Sequence, residues 1–476
     1  MAGPFRFHPR VFELDPRLEL ASALGRIDAH RLPFLLDSAS GEPRRASVLA
    51  FDPLPPEEGD ARLACSPRGL REILARLRPD GGDPVPGPFH GGLLCALAYD
   101  LGADGERRVT CPREPWAQPL FVGGLYTDFL VRDEVRGRTW LVLGEAPGDG
   151  RLPVSQRRAA LERELREPRA PGPTRAESPR RSVTPAEHMR RIELLRQSIA
   201  RGDLYQGNLA HRFESRAEGL PADWYARLRQ ANPAPYMGYV RWRASDGFEP
   251  AGALLSASPE LFFEVQDGVA RTRPIKGTIA RARDAELDRR RAESLLASEK
   301  DKAELAMIVD LERNDLGRCA VPGSVRVEPW PRLETYARVH HLTADVVATL
   351  LPGRDAFDVL AALFPGGSIT GAPKLAAMAR IAELEGAGRG FFTGSLGYVD
   401  LRGNAAFNIL IRTFLWRESG GGELSFQVGG GITWSSEAEA EERETLAKAA
   451  GMLEALGFAA EEAASPAAGN ADLRGL

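Results

Sequence analysis

The chain has 476 residues, of which 43% are hydrophobic and 27% charged, so it carries enough apolar material for a large core in two or more lobes and is not a disordered protein. Its 62 basic and 66 acidic side chains leave a formal charge of −4, which gives no global field for a nucleic-acid backbone or an anionic membrane. A small-molecule substrate is expected, with no nucleic-acid partner.

Cys65, Cys95, Cys111 and Cys319 lie far apart without C-x-x-C spacing, which points away from both a zinc site and a disulfide framework. The N-terminal segment lacks the apolar core of a signal peptide, and no run approaches about 18 uninterrupted apolar residues. A cytoplasmic protein with no membrane partner is expected. Only five lysines occur, Lys276, Lys300, Lys302, Lys374 and Lys448, among the 62 basic residues. Lysine that persists in an arginine-rich chain draws attention, because it alone can lose its proton near neutral pH.

From the N-terminus, Leu32–Ser38 and Thr139–Leu143 read as strands, Pro67–Leu77 has apolar residues at helical spacing, and Gly91–Gly102 reads as a buried element closed by glycine. Residues 1–165 form the expected first domain. Residues 166–182, rich in Pro, Arg and Gly, read as an exposed linker. Thr184-Pro-Ala-Glu187 has the pattern of a capping box opening a helix that Gly202 stops. The second domain, 183–458, mixes strands such as Leu254–Ala257 and Ala406–Arg412 with helices such as Ser298–Glu312 and a last helix from near Ser436 to Leu456. Residues 459–476 hold few large apolar side chains and read as a frayed tail.

The chemistry gathers in the second domain. Glu304 lies on the helical run whose Leu305, Ile308, Val309 and Glu312 mark a half-buried face. Glu441 and Glu444 are three apart on the last helix, with Lys448 one turn on. Carboxylates from two helices suit a hard cation such as Mg²⁺, although glutamates on a terminal helix more often face solvent. Phe364-Pro-Gly-Gly-Ser-Ile-Thr-Gly-Ala-Pro-Lys374 is a glycine-rich loop with backbone donors for an anion. It departs from a nucleotide-binding loop at Ala372 and Pro373, so carboxylate recognition fits better than ATP. Val428-Gly-Gly-Gly-Ile-Thr433 is either a flexible hairpin or a place of close approach.

Pro274-Ile-Lys-Gly-Thr278, Asp310-Leu-Glu-Arg-Asn-Asp-Leu-Gly317 and Gly371-Ala-Pro-Lys374 occur together and in order, and in this the chain resembles the chorismate-utilising enzymes. That family includes the large subunits of anthranilate synthase and aminodeoxychorismate synthase, isochorismate synthases and salicylate synthases. Leu35-Leu-Asp-Ser-Ala39, Gly91-Gly-Leu-Leu94 and Gly124-Leu-Tyr-Thr-Asp128 extend the resemblance over nearly the whole chain. It implies an α+β fold, a large mixed or antiparallel β-sheet sandwich with peripheral helices.

The resemblance also implies roles. Glu304 and Glu444 match Mg²⁺-binding glutamates, and Glu441 matches a nearby acidic position acting through water. Arg412, Lys448, Gly371 and Gly429 match groups that hold the substrate's carboxylates and ring, with Gln206, Thr278, His341 and Thr370 also placed among the substrate-binding positions. Glu260 matches the acid that protonates the departing 4-hydroxyl. Gln206 stands where isochorismate and salicylate synthases carry a water-activating lysine. Lys276 stands where aminodeoxychorismate synthases have a lysine nucleophile and the other groups usually have alanine. That pair favours amination of chorismate at C4 over the nearest alternative, an anthranilate synthase large subunit. A degenerate regulatory subunit is the rival of another class, and retention of Glu260, Lys276, Glu304 and Glu444 argues against it.

No cysteine lies in a Gly-x-Cys-x-Gly setting, so ammonia is expected from a separate glutamine amidotransferase subunit in a heterodimer. Leu35-Leu-Asp-Ser38 resembles a region used for tryptophan feedback in the family but has Asp where the family form has Glu.

Overall fold

The computed structural model describes residues 5–40, 46–57, 59–104, 109–145, 150–166, 169–336 and 339–459. It is an α+β architecture of two large sheets and a small three-stranded one. The larger sheet runs from Arg180–Arg181 at one edge through Gln206–Glu218, Glu423–Ile432, Thr413–Arg417, Gly252–Ser258 and Tyr236–Trp242, and continues into the N-terminal strands Phe34–Asp37 and Ala46–Ala50. The second sheet pairs Leu261–Gln266, Ala405–Ile409 and Ser395–Asp400 with the N-terminal strands Gly92–Leu97 and Phe121–Tyr126. Strands from both halves of the sequence thus share both sheets, through Tyr236–Trp242 on Phe34–Asp37 and Ser395–Asp400 on Gly92–Leu97.

The main core lies between these sheets and includes Phe34, Val48, Val240 and Leu254 from one and Leu93, Phe263, Leu396 and Phe407 from the other. Gly92–Leu97 is buried at every position, which is why it reads as a continuous apolar run rather than an alternating one. A second apolar layer seats helices Leu20–Ile27, Pro221–Ala231 and Ala438–Leu456 on the larger sheet, through Leu24, Trp224, Leu228, Met452 and Leu453.

The expected helix after Thr184 spans Pro185–Ala200, and the Thr184 hydroxyl accepts from the Glu187 amide at 3.2 Å. The Glu187 carboxylate instead binds Arg190 and Arg191, so only half of the capping box forms. The last helix begins at Ala438, after Ser436 Oγ has accepted from the Thr433 amide. Within the span read as a linker, Arg175–Ala176 and Arg180–Arg181 pair with strand Gln206–Glu218, and Arg169 binds Asp223 through two bonds of 2.8 Å. Backbone pairing and ion pairs, with Ala176 against the second apolar layer, dock this segment, a combination that Pro, Arg and Gly content does not reveal. Of the tail, 460–476 lies outside the described residues. Among the described residues no helix is long and apolar enough to cross a membrane.

Candidate active site

Two of the site residues sit where the chain leaves one sheet for the next. Glu260 sits at the corner between Gly252–Ser258 in the larger sheet and Leu261–Gln266 in the second. Arg412 sits at the reverse corner, between Ala405–Ile409 and Thr413–Arg417. Ser258 fixes the first corner by donating to Ile409 O at 2.6 Å while accepting from the Glu260 amide at 3.2 Å. Arg412 has φ +50, a left-handed backbone that costs an L-residue about 1 to 2 kcal/mol and persists where the surroundings enforce it. Its carbonyl accepts from the Ala257 amide at 3.0 Å, which locks that geometry. Among the described residues its guanidinium has no ion-pair partner, and burial lowers its pKa.

Lys276 lies on strand Ile275–Ala280, which pairs with Val339–Thr343 across a bulge between Lys276 and Thr278. Gly277 occupies the bulge at φ +73, and a Cβ there would stand 2.9 Å from both Asp301 and Leu295, so glycine is required. On the paired strand, His341 bonds Thr278 Oγ1 through Nδ1 at 2.8 Å. Its Nε2 is buried without a partner. Burial, assisted by the Arg412 charge, pushes the imidazole pKa down to about 3, so the ring is neutral.

The Lys276 ammonium makes no ion pair among the described residues. Burial lowers its pKa, Glu304 opposes that shift, and Lys448 reinforces it. A Cβ built on Gly431 would meet Gln206 Nε2 at 2.8 Å and Lys276 Nζ at 3.2 Å. The bare glycine strand is therefore what lets the two side-chain tips face one another. Gln206 is fully buried, and among the described residues both of its amide atoms lack partners, an arrangement that costs stability unless a ligand or water completes it.

The next turn of the site belongs to helix Ala438–Leu456. A Cβ on Gly430 would lie 3.3 Å from Glu441 Oε2 and 3.5 Å from Lys448 Nζ, and Lys448 donates to Gly429 O at 3.1 Å and pairs with Glu444 at 2.9 Å. Across from it, helix Glu299–Gly317, capped by Ser298, presents Glu304. That carboxylate is half-buried, and the nearest ammonium, Lys300 Nζ, is 3.9 Å away. Burial raises its pKa, Lys276 and Lys300 pull it back, and Asp301 and Glu441 raise it further. The Glu444 pKa is lowered: burial works against this, and Lys448, Lys300 and Lys276 together outweigh it. Among the described residues no three His, Cys, Asp or Glu side chains form a ready-made metal cage.

Glu260 is buried, with Oε1 unpartnered. Burial pushes its pKa up to about 7 against the pull of the Ser368 hydroxyl and the Lys276 charge. A second buried carboxyl, Glu312, accepts from Thr272 Oγ1 at 2.8 Å and is raised by burial to about 8. Thr370 turns inward, donating to Gly366 O at 2.9 Å, and its carbonyl accepts from the Asn208 amide. Gly371, at φ +144, pairs with Gly207, and its Cβ position lies 2.1 Å from Gln206 O.

Lys276, Gln206, Glu260, Glu304, Glu444 and Lys448 thus converge electrostatically or by contact; Thr278 and His341 lie on the strand pair of Lys276, and the Arg412 charge acts on His341 from the corner between the sheets. Thr370 and Gly371 contribute backbone. Gly277, Gly430, Gly431 and Ser368 had no individual reading in the sequence, and Glu312 was read only as part of the half-buried helix face. The signal for the glycines was the unbroken Gly429–Gly431 run. A separate cavity of about 650 Å³ lies between the sheets, lined in part by Asp37, Ser38, Tyr236, Met237, Tyr398 and Asn408. It contains none of the predicted site residues. At its edge Asp37 accepts from Tyr225 OH at 2.9 Å and Arg229 Nε at 2.7 Å.

Residues 59–454 match the chorismate binding enzyme family. The chain is 37% identical over 445 residues to anthranilate synthase component 1 of Streptomyces coelicolor, covering 89% of this chain and 83% of that protein. It is 39% identical over 371 residues to aminodeoxychorismate synthase component 1 of Salmonella typhimurium, covering 78% and 77%. The solved anthranilate synthase component I of Streptococcus pneumoniae superposes with a TM-score of 0.71 at 29% identity, covering 86% of this chain and 92% of that one. The chain belongs to the chorismate binding enzyme family and is a chorismate-utilising enzyme.

Proposed function

We propose that this enzyme aminates chorismate at C4 with ammonia, giving 4-amino-4-deoxychorismate. Relatives named for this activity and for anthranilate synthesis stand at similar identity, so the choice rests on the site. The observation that carries it is Lys276: an amine without an ion pair among the described residues, lowered in pKa by burial, its tip beside the tip of Gln206 over Gly431.

A free lysine at pH 7 is about 3.4 units below its pKa, so the neutral amine costs about 4 to 5 kcal/mol. Burial and the Lys448 charge reduce that cost here. The neutral amine attacks C2 as the 4-hydroxyl leaves, taking its proton from Glu260 and departing as water. Ammonia then attacks C4 and the lysine leaves C2 with its electron pair restored. Glu260, with a pKa of about 7, is poised to hold and deliver that proton. Gln206 cannot serve as a general base, so water is not activated at C2. Arg412 and Lys448 supply positive charge for the substrate's carboxylates, and neutral His341 and Thr278 offer hydrogen bonds.

The donor set fits Mg²⁺. Glu304 is a half-buried carboxylate with no ammonium in hydrogen-bonding range, and its burial, Asp301 and Glu441 all favour an added positive charge. Such an ion is commonly held by one or two carboxylates plus substrate and water rather than by a full protein cage. Glu304 and Glu444 would hold it, Glu441 through water, and it would supply charge that anchors a substrate carboxylate. Ammonia is delivered by a separate glutamine amidotransferase subunit in a heterodimer. In support, burial pushes the Cys95, Cys111 and Cys319 thiols above their ordinary pKa, the opposite of an activated nucleophile.

The test is mass spectrometry after rapid quench of protein mixed with chorismate and Mg²⁺ without ammonium. An adduct on Lys276 is expected. Lys276→Arg should be more damaging than Lys276→Ala, because arginine cannot supply a neutral amine and crowds the ring. No adduct together with wild-type turnover by Lys276→Arg would remove the nucleophile.

A further inference from the structure

We propose that Glu442 is a positioning residue that sets the rotation of helix Ala438–Leu456, and thereby the placement of Glu441 and Glu444, through a buried clamp made with Arg181 and His188. The inference rests on the reading of Glu304 and Glu444 as metal-holding groups.

Arg181 Nη1 and Nη2 donate to the two Glu442 oxygens at 2.7 and 3.2 Å, and His188 Nδ1 donates to Oε2 at 2.6 Å. All three side chains are at most 9% exposed. The donors come from two further elements. Arg181 belongs to the short edge strand Arg180–Arg181, in register with Phe213, and its guanidinium lies 5.6 Å from the Phe213 ring. His188 belongs to helix Pro185–Ala200.

The helix needs such a device. Its first turn lies over Gly430, where a Cβ would meet Glu441 and Lys448; with no side chain there for ridges to enter, the usual keying of a packed helix is missing at that point. Its buried neutral side chains begin at Thr445 and continue through Ala449, Met452, Leu453 and Leu456; before them the buried positions are Glu441 and Glu442. Apolar packing is thus concentrated in the C-terminal half; at the end that bears the candidate ligands Ala438 alone packs on an apolar cluster, and the clamp supplies the remaining constraint. On a helix of side-chain radius about 5 to 6 Å, a rotation of 10° moves a carboxylate by about 1 Å. A displacement of that size is enough to spoil a constellation of charges. A buried ion pair adds little net stability over apolar residues of similar volume, which favours positioning over stability as its purpose.

The experiment measures Mn²⁺ binding in the presence of chorismate by electron paramagnetic resonance, together with melting temperature, for Glu442→Gln, Arg181→Met and the double variant Arg181→Met/Glu442→Met. The double variant removes both charges of the Arg181–Glu442 pair and should fold, with its melting temperature reporting the loss of the His188 hydrogen bond. Arg169→Met breaks a comparable pair with Asp223 and serves as the structural reference. The proposal expects Mn²⁺ affinity to fall about tenfold or more in all three clamp variants and to be unchanged in Arg169→Met. Wild-type Mn²⁺ affinity in the double variant would overturn it. Glu304→Gln separates the two levels of the argument. If that substitution also leaves Mn²⁺ binding unchanged, the metal reading itself fails; if it alone weakens binding, only the clamp fails.

Discussion

Replacing Glu260 by glutamine should stabilise the fold in alkaline solution while destroying activity. Burial raises its pKa from 4.5 to about 7, so between those values the native state keeps a proton that the unfolded chain has released. Stability is therefore full below about pH 4.5, falls as pH rises through that window, and levels off above about 7. The shift corresponds to about 3 kcal/mol. Glutamine carries no such charge and pays none of this penalty. For 476 residues the entropy of unfolding is about 1 kcal/mol/K, which converts the difference into about 3 °C of melting temperature. Calorimetry of both proteins at pH 5 and pH 9, without substrate or metal, reads it directly. The two should melt within about 1 °C of each other at pH 5, and the variant should lead by about 3 °C at pH 9. Turnover at pH 7 should fall by a factor of about 10² or more, the usual worth of a positioned acid. A gap that is constant with pH, or that favours wild type at pH 9, would refute the claim that Glu260 is held protonated by burial.

Gly431→Ala places a methyl group against Gln206 Nε2 and Lys276 Nζ, both flexible tips. It should lower kcat about tenfold or more with little change in melting temperature, measured by steady-state kinetics beside calorimetry. Glu304→Gln and Glu444→Gln should each raise the Mg²⁺ concentration for half-maximal rate about 10 to 100-fold; an unchanged Mg²⁺ titration in both would remove these residues from the metal.

Residues that act through chemical type were legible before the structure. Lys276 stood out against an arginine-rich background, and Glu304 lay on a helix whose apolar spacing was plain. The α+β sandwich followed from the resemblance, and the structural neighbours bear it out. What stayed hidden depends on contacts distant in sequence. Glu312 reads as one more residue on an amphipathic face, yet Thr272, forty residues away, and the loss of solvent make it a raised buried acid. Arg181 reads as a linker arginine because nothing local marks Glu442 as its partner. The Gly429–Gly431 run was equally compatible with a loose hairpin. Only the helix laid over it, with Glu441 and Lys448 at 3.3 and 3.5 Å from a missing Cβ, reveals the glycines as room made for charge.

The measurement closest to the central claim is identification of the product formed by the purified chain from chorismate, Mg²⁺ and an ammonium salt, with glutamine in a parallel reaction. The account predicts 4-amino-4-deoxychorismate from ammonium, no pyruvate release, and no turnover with glutamine until an amidotransferase subunit is added. Anthranilate and pyruvate in equal amounts would contradict it.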